Sequence, residues 1–296
     1  VYKRLAYALG PLNGMSDRAS MLENSNFCDE MGMDTVSAGA TISWYLECVE
    51  RGLTESFVKF PSRNKNTVGE LLRLVVERQG VGVQLAEGAA RASQTLGKGS
   101  DDFAMHVKGL EMPGYEPRSL KSMALALAVS TRGACHNRSS AYENDFSESG
   151  DRFNATREKG VVVAAGEDYS AVMDSLIWCK FVRKVFEDFY HESAEILSNI
   201  TGWDMTAVEL ELCGERINNL KKLFNIREGW DRKDDVLPPR ILTERLDSGA
   251  QLSKEDLDFM ISSYYEARGW DEDGKIPDTK LHELDIIEYT VLFETH

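Results

Sequence analysis

Helical spacing dominates this chain, and few stretches alternate with period two, which points to a mostly α fold. After Gly39, residues Ile42, Leu46 and Val49 fall on one helical face, and Gly52 follows as a stop. The Asp-bearing turn before that face predicts a helix starting near Thr41. Thr67-Val-Gly-Glu70 has the form of a capping box, opening a helix through Leu71, Leu72, Val75 and Val76 to Gly80. Val83 to Leu96 predicts a third helix, in which Gly88, Ala89, Ala90 and Ala92 permit close packing. Leu120 to Val129 predicts a short apolar helix, and residues 137–166 lack periodicity and predict a long surface loop. Tyr169 to Ile200 is helical in character with one break. Asp204 or Thr206 caps a helix with Val208, Leu212, Ile217, Leu220 and Leu223 inward. Ser253 caps another, with Leu257, Met260, Ile261 and Tyr264 inward, before Gly269. The Gly- and Pro-rich stretch ending at Met112-Pro113 predicts a boundary, giving helical domains over 1–112 and 113–296.

Composition narrows the function classes. With 49 acidic against 34 basic residues, a net charge of −15 disfavours a nucleic-acid partner, which requires clustered Lys and Arg. No run approaches the ~20 apolar residues of a membrane helix. The five cysteines, Cys28, Cys48, Cys135, Cys179 and Cys213, are odd in number, widely spaced and never C-x-x-C, which fits a reducing cytoplasm better than a disulfide framework. The first residues carry no long apolar leader and no initiator Met, so Val1 reads as an interior cut.

Chemistry concentrates between His106 and Arg138, where polar groups surround a Gly/Pro-punctuated turn and a short apolar helix ending in a Cys-His pair between two arginines. His106-Val-Lys-Gly-Leu-Glu-Met112-Pro113 with Gly114-Tyr115, then Ser130-Thr-Arg132-Gly133-Ala-Cys135-His136, resembles the signature of the tungsten-dependent aldehyde:ferredoxin oxidoreductases. The likeness continues at Cys28-Asp29 through Asp34-Thr-Val-Ser-Ala38-Gly39, similar to the family's first pterin-contacting segment. Asp174-Ser-Leu-Ile-Trp178-Cys179 is similar to the second. Phe224-Asn-Ile-Arg-Glu-Gly229, Leu237-Pro-Pro-Arg240 and Tyr264-Tyr265 with Arg268-Gly-Trp270 resemble its closing helices.

The residues alone leave choices open. Cys179, among Ile177, Trp178 and Phe181, reads most simply as a buried core thiol. In an unbroken helix Asp174 and Cys179 would point about 140° apart, so either one is structural or the backbone opens between them. His136 suits a turn histidine satisfied by a carbonyl. Flanked by Arg132 and Arg138, its neutral form is favoured, and a neutral imidazole can accept a proton. Asp29 and Asp34 suit solvated acids in a turn, although an ionised Asp also accepts the N–H donors of a reduced pterin.

The resemblance implies sharper roles. Cys179 becomes the fourth ligand of a [4Fe-4S] cluster, and Asp29, Asp34 and Asp174 hold two pterins of a tungsten or molybdenum centre. Ala38, Gly39 and Trp178 line them, Gly39 through a close backbone approach, and His136 serves the substrate as the proton-transferring residue. It further implies oxidation of an aldehyde to a carboxylic acid with electrons passing to a ferredoxin; a family alternative is reduction of an activated acid or aromatic acyl thioester. The cluster's other three cysteines belong to a C-x-x-C-x-x-x-C run that this sequence does not contain. A preceding domain or a separate subunit is therefore an expected partner, with apolar surface exposed for it or for self-association. Without such a partner, the chain would be a helical subunit that has lost its cofactor. Two further departures stand out: Ile177 and Trp178 where relatives carry Gly and Leu, and Lys3-Arg4 where they carry an acid.

Overall fold

A computed structural model of the chain describes residues 2–55 and 65–289. The fold is mostly helical, as its periodicity requires. Fourteen α-helices occur among the described residues: α1 (Tyr2–Leu9), α2 (Arg18–Met31), α3 (Thr35–Glu50), α4 (Lys65–Glu77), α5 (Gly82–Leu85), α6 (Gly88–Leu96), α7 (Lys121–Val129), α8 (Tyr142–Asp145), α9 (Glu158–Ser175), α10 (Phe189–Thr201), α11 (Ala207–Arg227), α12 (Pro239–Thr243), α13 (Lys254–Arg268) and α14 (Asp278–Glu283). Among the same described residues a single antiparallel pair, β1 (His106–Val107) and β2 (Leu110–Glu111), joins His106 to Glu111 and Val107 to Leu110. The chain divides into two compact units. One takes residues up to Glu116 together with Arg132–Cys135 and Leu237–Gln251; the other takes Pro117–Thr131, His136–Val236 and the residues from Leu252 on.

In the first unit, Ile42, Trp44, Leu46, Leu71, Leu72 and Phe103 form the core. Helix α3 begins six residues before the sequence-predicted start, because Asp34 is its N-cap and accepts from Ser37 N at 2.7 Å. The Thr67 box is not used: α4 starts at Lys65, and Thr67 lies buried inside it. The predicted helix from Val83 splits into α5 and α6 at Gly88, whose φ of +82° a residue with Cβ resists. Helices α1 and α3 touch backbone to backbone: a Cβ on Gly39 would fall 2.3 Å from the Ala8 carbonyl oxygen. Asn13 Nδ2 ties the same contact, donating to Ala8 O at 2.7 Å and Gly39 O at 3.0 Å. Ala at a helical Gly ordinarily stabilises, but here the clash is with backbone. Gly39→Ala is therefore expected to destabilise by ~1–3 kcal/mol, read as a lower melting temperature; an unchanged melt contradicts the contact.

In the second unit α9 is the central element, packed against α7, α11 and α13. Glycines make this possible. A Cβ on Gly160 would lie 2.5 Å from the Ser263 carbonyl carbon in α13, and one on Gly214 of α11 would lie 2.6 Å from Asp168 O. The long predicted loop is thus shorter than its composition suggests, since α8 lies within it and α9 already starts at Glu158. Helix α7 is buried along its whole length, and its first residue follows Leu120, which cannot cap. Asp145 supplies the cap from α8, accepting from Ser122 N at 3.0 Å and Met123 N at 2.9 Å, with Lys159 Nζ at 3.4 Å balancing its charge. Thr206 makes the capping box of α11 with Glu209, and Ser253 caps α13 through Asp256 N. Val208 is a correction: it is 75% exposed, and the inward face of α11 runs through Leu210, Gly214, Asn218, Asn219, Lys222 and Leu223. Among the described residues, no helix is long and apolar enough to cross a membrane.

Candidate functional site

The motifs between His106 and His136 resolve into simple local structures. His106-Val-Lys-Gly-Leu-Glu111 is a hairpin whose two turn residues, Lys108 and Gly109, both have positive φ (+50° and +81°), the two-residue turn that matches strand twist. Two-residue strands are too short to show alternation, which is why periodicity missed them. Glu111 is buried, and its Oε1 accepts from Ala89 N at 2.8 Å and Thr41 Oγ1 at 3.3 Å. Opposite it, His106 is half-buried with Nδ1 enclosed and unpaired; burial pushes its pKa below the usual value, against the pull of Glu111. The Arg132-Gly133 turn lies on this hairpin, with a Gly133 Cβ position only 2.4 Å from Val107 O, so the glycine serves close approach. Arg132 Nη1 reaches Cys135 Sγ at 3.9 Å, and Cys135 is buried.

The first-unit candidates fall around the α2–α3 junction. Asp29 is exposed in the last turn of α2, and Gly32, at φ +70°, closes that helix. Asp34 is exposed at the start of α3, with its carboxylate committed in part to the cap. Ala38 packs against the core, and the close approach that Gly39 permits is to Ala8 of α1; that packing accounts for the glycine without a cofactor.

The second-unit candidates sit where α9 ends. Trp178 N bonds Met173 O at 2.9 Å and Ile177 N bonds Asp174 O at 3.2 Å, the paired closure of a Schellman motif with Ile177 as the left-handed residue. The backbone therefore does open between Asp174 and Cys179. Cys179 follows in extended conformation and its thiol is exposed, which corrects the simplest sequence reading of a core cysteine. Trp178 instead turns inward: its ring meets Phe186 edge-on at 5.2 Å within the α9–α10 cluster, and its Nε1 is buried without an acceptor, so it fills core space. Asp174 is held on both oxygens, Oδ2 by Arg138 Nη1 and Oδ1 by Lys180 Nζ, each at 2.9 Å. The Arg138 contact brings the loop carrying half-buried His136 to the end of α9. Arg183, farther along, binds Ser140 Oγ at 2.6 Å and Tyr142 OH at 2.7 Å.

Two participants escaped sequence reasoning. Lys180 was signalled only by adjacency to Cys179. Lys221 of α11 had no sequence signal; burial, then the nearby Arg138, lower its pKa, while Glu167 and Asp174 oppose this. Ile177 holds φ +60° with a β-branched side chain that is 90% exposed. A non-glycine residue there costs about 1–2 kcal/mol, and glycine itself about 0.5–1 in chain entropy. Ile177→Gly is accordingly expected to raise stability by up to ~1 kcal/mol in a thermal melt; a loss would contradict the strain.

The donors can be tested against the groups they would hold. Among the described residues no three His, Cys, Asp or Glu side chains gather as a metal site. Burial raises the thiol pKa of Cys28 to about 11 and of Cys48 to about 12, which disfavours the thiolate that iron requires. Cys179 alone combines exposure with a position outside regular helix. It fits a single ligand of a cluster completed by thiolates from elsewhere, and exposed Asp29, Asp34 and Asp174 fit N–H donors of a pterin.

Residues 2–286 match the family described as aldehyde ferredoxin oxidoreductase, domains 2 & 3, and the chain belongs to that family. It is 33% identical over 293 residues to the tungsten-containing aldehyde ferredoxin oxidoreductase of Pyrococcus furiosus, covering 96% of this chain and 48% of that protein. The enzyme of the same description from Thermococcus kodakarensis is 35% identical over 295 residues, with the same coverage. A P. furiosus aliphatic sulfonate oxidoreductase, WOR-like subunit, is 31% identical over 306 residues, 97% of this chain and 46% of that one. Among solved structures, the active site complex BamBC of benzoyl coenzyme A reductase with 1,5 dienoyl-CoA superimposes with a TM-score of 0.77 at 20% identity, over 94% of this chain and 48% of that one, a likeness of fold. The chain thus spans about half the length of the relatives it matches.

Proposed function

We propose that the chain forms the second half of a tungsten- or molybdenum-bis-pterin oxidoreductase that converts aldehydes and water to carboxylic acids, releasing two electrons and two protons. The electrons leave through a [4Fe-4S] cluster to a ferredoxin. The observation that carries this reading is Cys179: its thiol stands exposed where the Schellman turn opens the chain after Asp174, inside a chain of this family. When bound, the metal and pterins supply the redox chemistry and the cluster supplies the electron exit.

The chain's own residues then bind, orient and move protons. Asp29 and Asp34 at the α2–α3 junction would accept from one pterin and Asp174 from the other, the latter fixed in place by Arg138 and Lys180. His136, half-buried on the loop that Arg138 anchors, would take a proton at an imidazole nitrogen as water adds to the aldehyde carbon. Three cluster thiolates must come from another polypeptide segment, the first partner of the proposal. Exposed Ile177, Phe181 and Val185 around Cys179 support such a contact.

Dye reduction by the anaerobic native protein tests the reaction. Viologen reduction driven by acetaldehyde or benzaldehyde is expected. No response to any aldehyde, with dye oxidation driven by acyl thioesters instead, would replace the proposed reaction with acid-level reduction.

A further inference from the structure

Residues 185–215, which form α10, the connection after it and the start of α11, contain eight Asp and Glu and no Lys or Arg. Of these eight, Glu215 alone is ion-paired among the described residues, to Lys280 at 2.7 Å. The same segment exposes apolar side chains. Ile196 and Ile200 stand one turn apart on α10, and Ile200 is 78% exposed. Trp203, the residue after the Gly202 cap, is 63% exposed. Hydrogen bonds hold the connection back against α10: Ser198 Oγ accepts from Met205 N at 3.2 Å, and Thr201 Oγ1 accepts from Trp203 N at 3.2 Å. Val208, outward on α11, follows directly after the Thr206 cap. Single exposed apolar side chains need no explanation, but four around one helix–helix corner, a Trp among them, mark an interaction surface.

We propose that the α10–α11 corner is a docking surface for a separate, reversibly bound protein whose contact face is apolar and ringed by Lys and Arg. Charge complementarity selects this occupant. A second copy of the chain brings the same acids and a net charge of −15, so corner-to-corner pairing sets like charges together. An anionic lipid surface is repelled for the same reason. Permanent interfaces resemble a domain core cut in half and are depleted of charge at their centre. Here Glu195 adjoins Ile196 and Asp204 adjoins Trp203, all exposed, so any cover must supply cations beside its apolar groups. Trp203 is the anchor, as Trp is enriched among the few residues that carry most binding energy. The surrounding carboxylates steer the partner's approach and make its binding salt-dependent. None of these residues is assigned to cofactor or substrate, so the surface stands or falls independently of the proposed function.

Calorimetric titration of the full chain tests the chemistry of this surface. The probe is an amphipathic helical peptide of Leu and Lys, with a Leu and Glu peptide of equal length and phosphatidylcholine vesicles as the other arms. The Leu and Lys peptide is expected to bind, more weakly as salt is raised. Trp203→Ala should weaken it about thirtyfold, the loss typical of an anchor residue. Glu195→Lys with Asp204→Lys should weaken it about tenfold and flatten the salt dependence. Phe146→Ala, which removes an aromatic 60% exposed outside the acidic segment, should leave binding unchanged. Circular dichroism establishes that each variant is folded. Absence of binding, equal losses in Trp203→Ala and Phe146→Ala, or equal binding of the Leu and Glu peptide overturns the proposal. So does binding to the vesicles, which assigns the surface to lipid. Sedimentation of the chain alone supplies the last arm: a dimer abolished by Trp203→Ala would assign the corner to a second copy and overturn the separate partner.

Discussion

Arg268→Ala is expected to remove about 3–5 kcal/mol of stability, the usual cost of leaving a buried ionic partner alone. Arg268 is buried in α13, and its guanidinium meets Glu167 at 2.8 Å and Asp168 at 2.6 Å, while Nη2 also donates to Ala164 O at 3.0 Å. Tyr264 OH adds a 2.5 Å bond to Glu167, and Asn218 Nδ2 bonds Asp168 at 2.7 Å. The network therefore ties α9, α11 and α13 together through one cation and two carboxylates. Truncation leaves both carboxylates without that cation in a site where water is scarce. A thermal melt at neutral pH checks it. A loss below 1 kcal/mol at neutral pH would show that the network contributes specificity and not stability.

Cys179→Ser should strip most of the cluster iron from the native assembly, because a cluster of this kind is held by four thiolates. Cys213→Ser, in half-buried Cys213 of α11, should retain the iron. Iron analysis of the two variants beside the wild type decides it, with visible absorbance as the second readout. Equal iron in all three would remove Cys179 from the cluster and, with it, the observation on which the proposed function rests. The comparison is informative because the exposed Cys179 side chain supports no core, so its loss should not unfold the chain.

The fold was legible wherever an element carried its own cap and face. Thr206 with Glu209, Ser253 and Gly269 mark α11 and α13 where spacing places them. It was illegible where tertiary contacts override local signals. The start of α9 looks like a loop because Gly160 is there for Ser263 of α13, and α7 takes its cap from Asp145, 22 residues beyond Met123. Asp34 was read for its chemistry and proves also to be a helix cap, a dual use that short polar side chains at helix starts permit. Of the candidate site, helical geometry offered the break between Asp174 and Cys179 as one of two alternatives, and the exposure of the thiol was not legible. Neighbours Ile177, Trp178 and Phe181 suggested a core, but only Trp178 turns inward, because the left-handed Ile177 reverses the chain.

The proposed function makes this chain half of a metal-pterin enzyme. Tungsten, molybdenum, iron and pterin content, measured on protein purified anaerobically from its source with every associated chain retained, tests it most directly. Two pterins per tungsten or molybdenum with about four irons is the expected result. An intact native assembly with neither metal nor pterin would contradict it and leave a helical subunit without a cofactor.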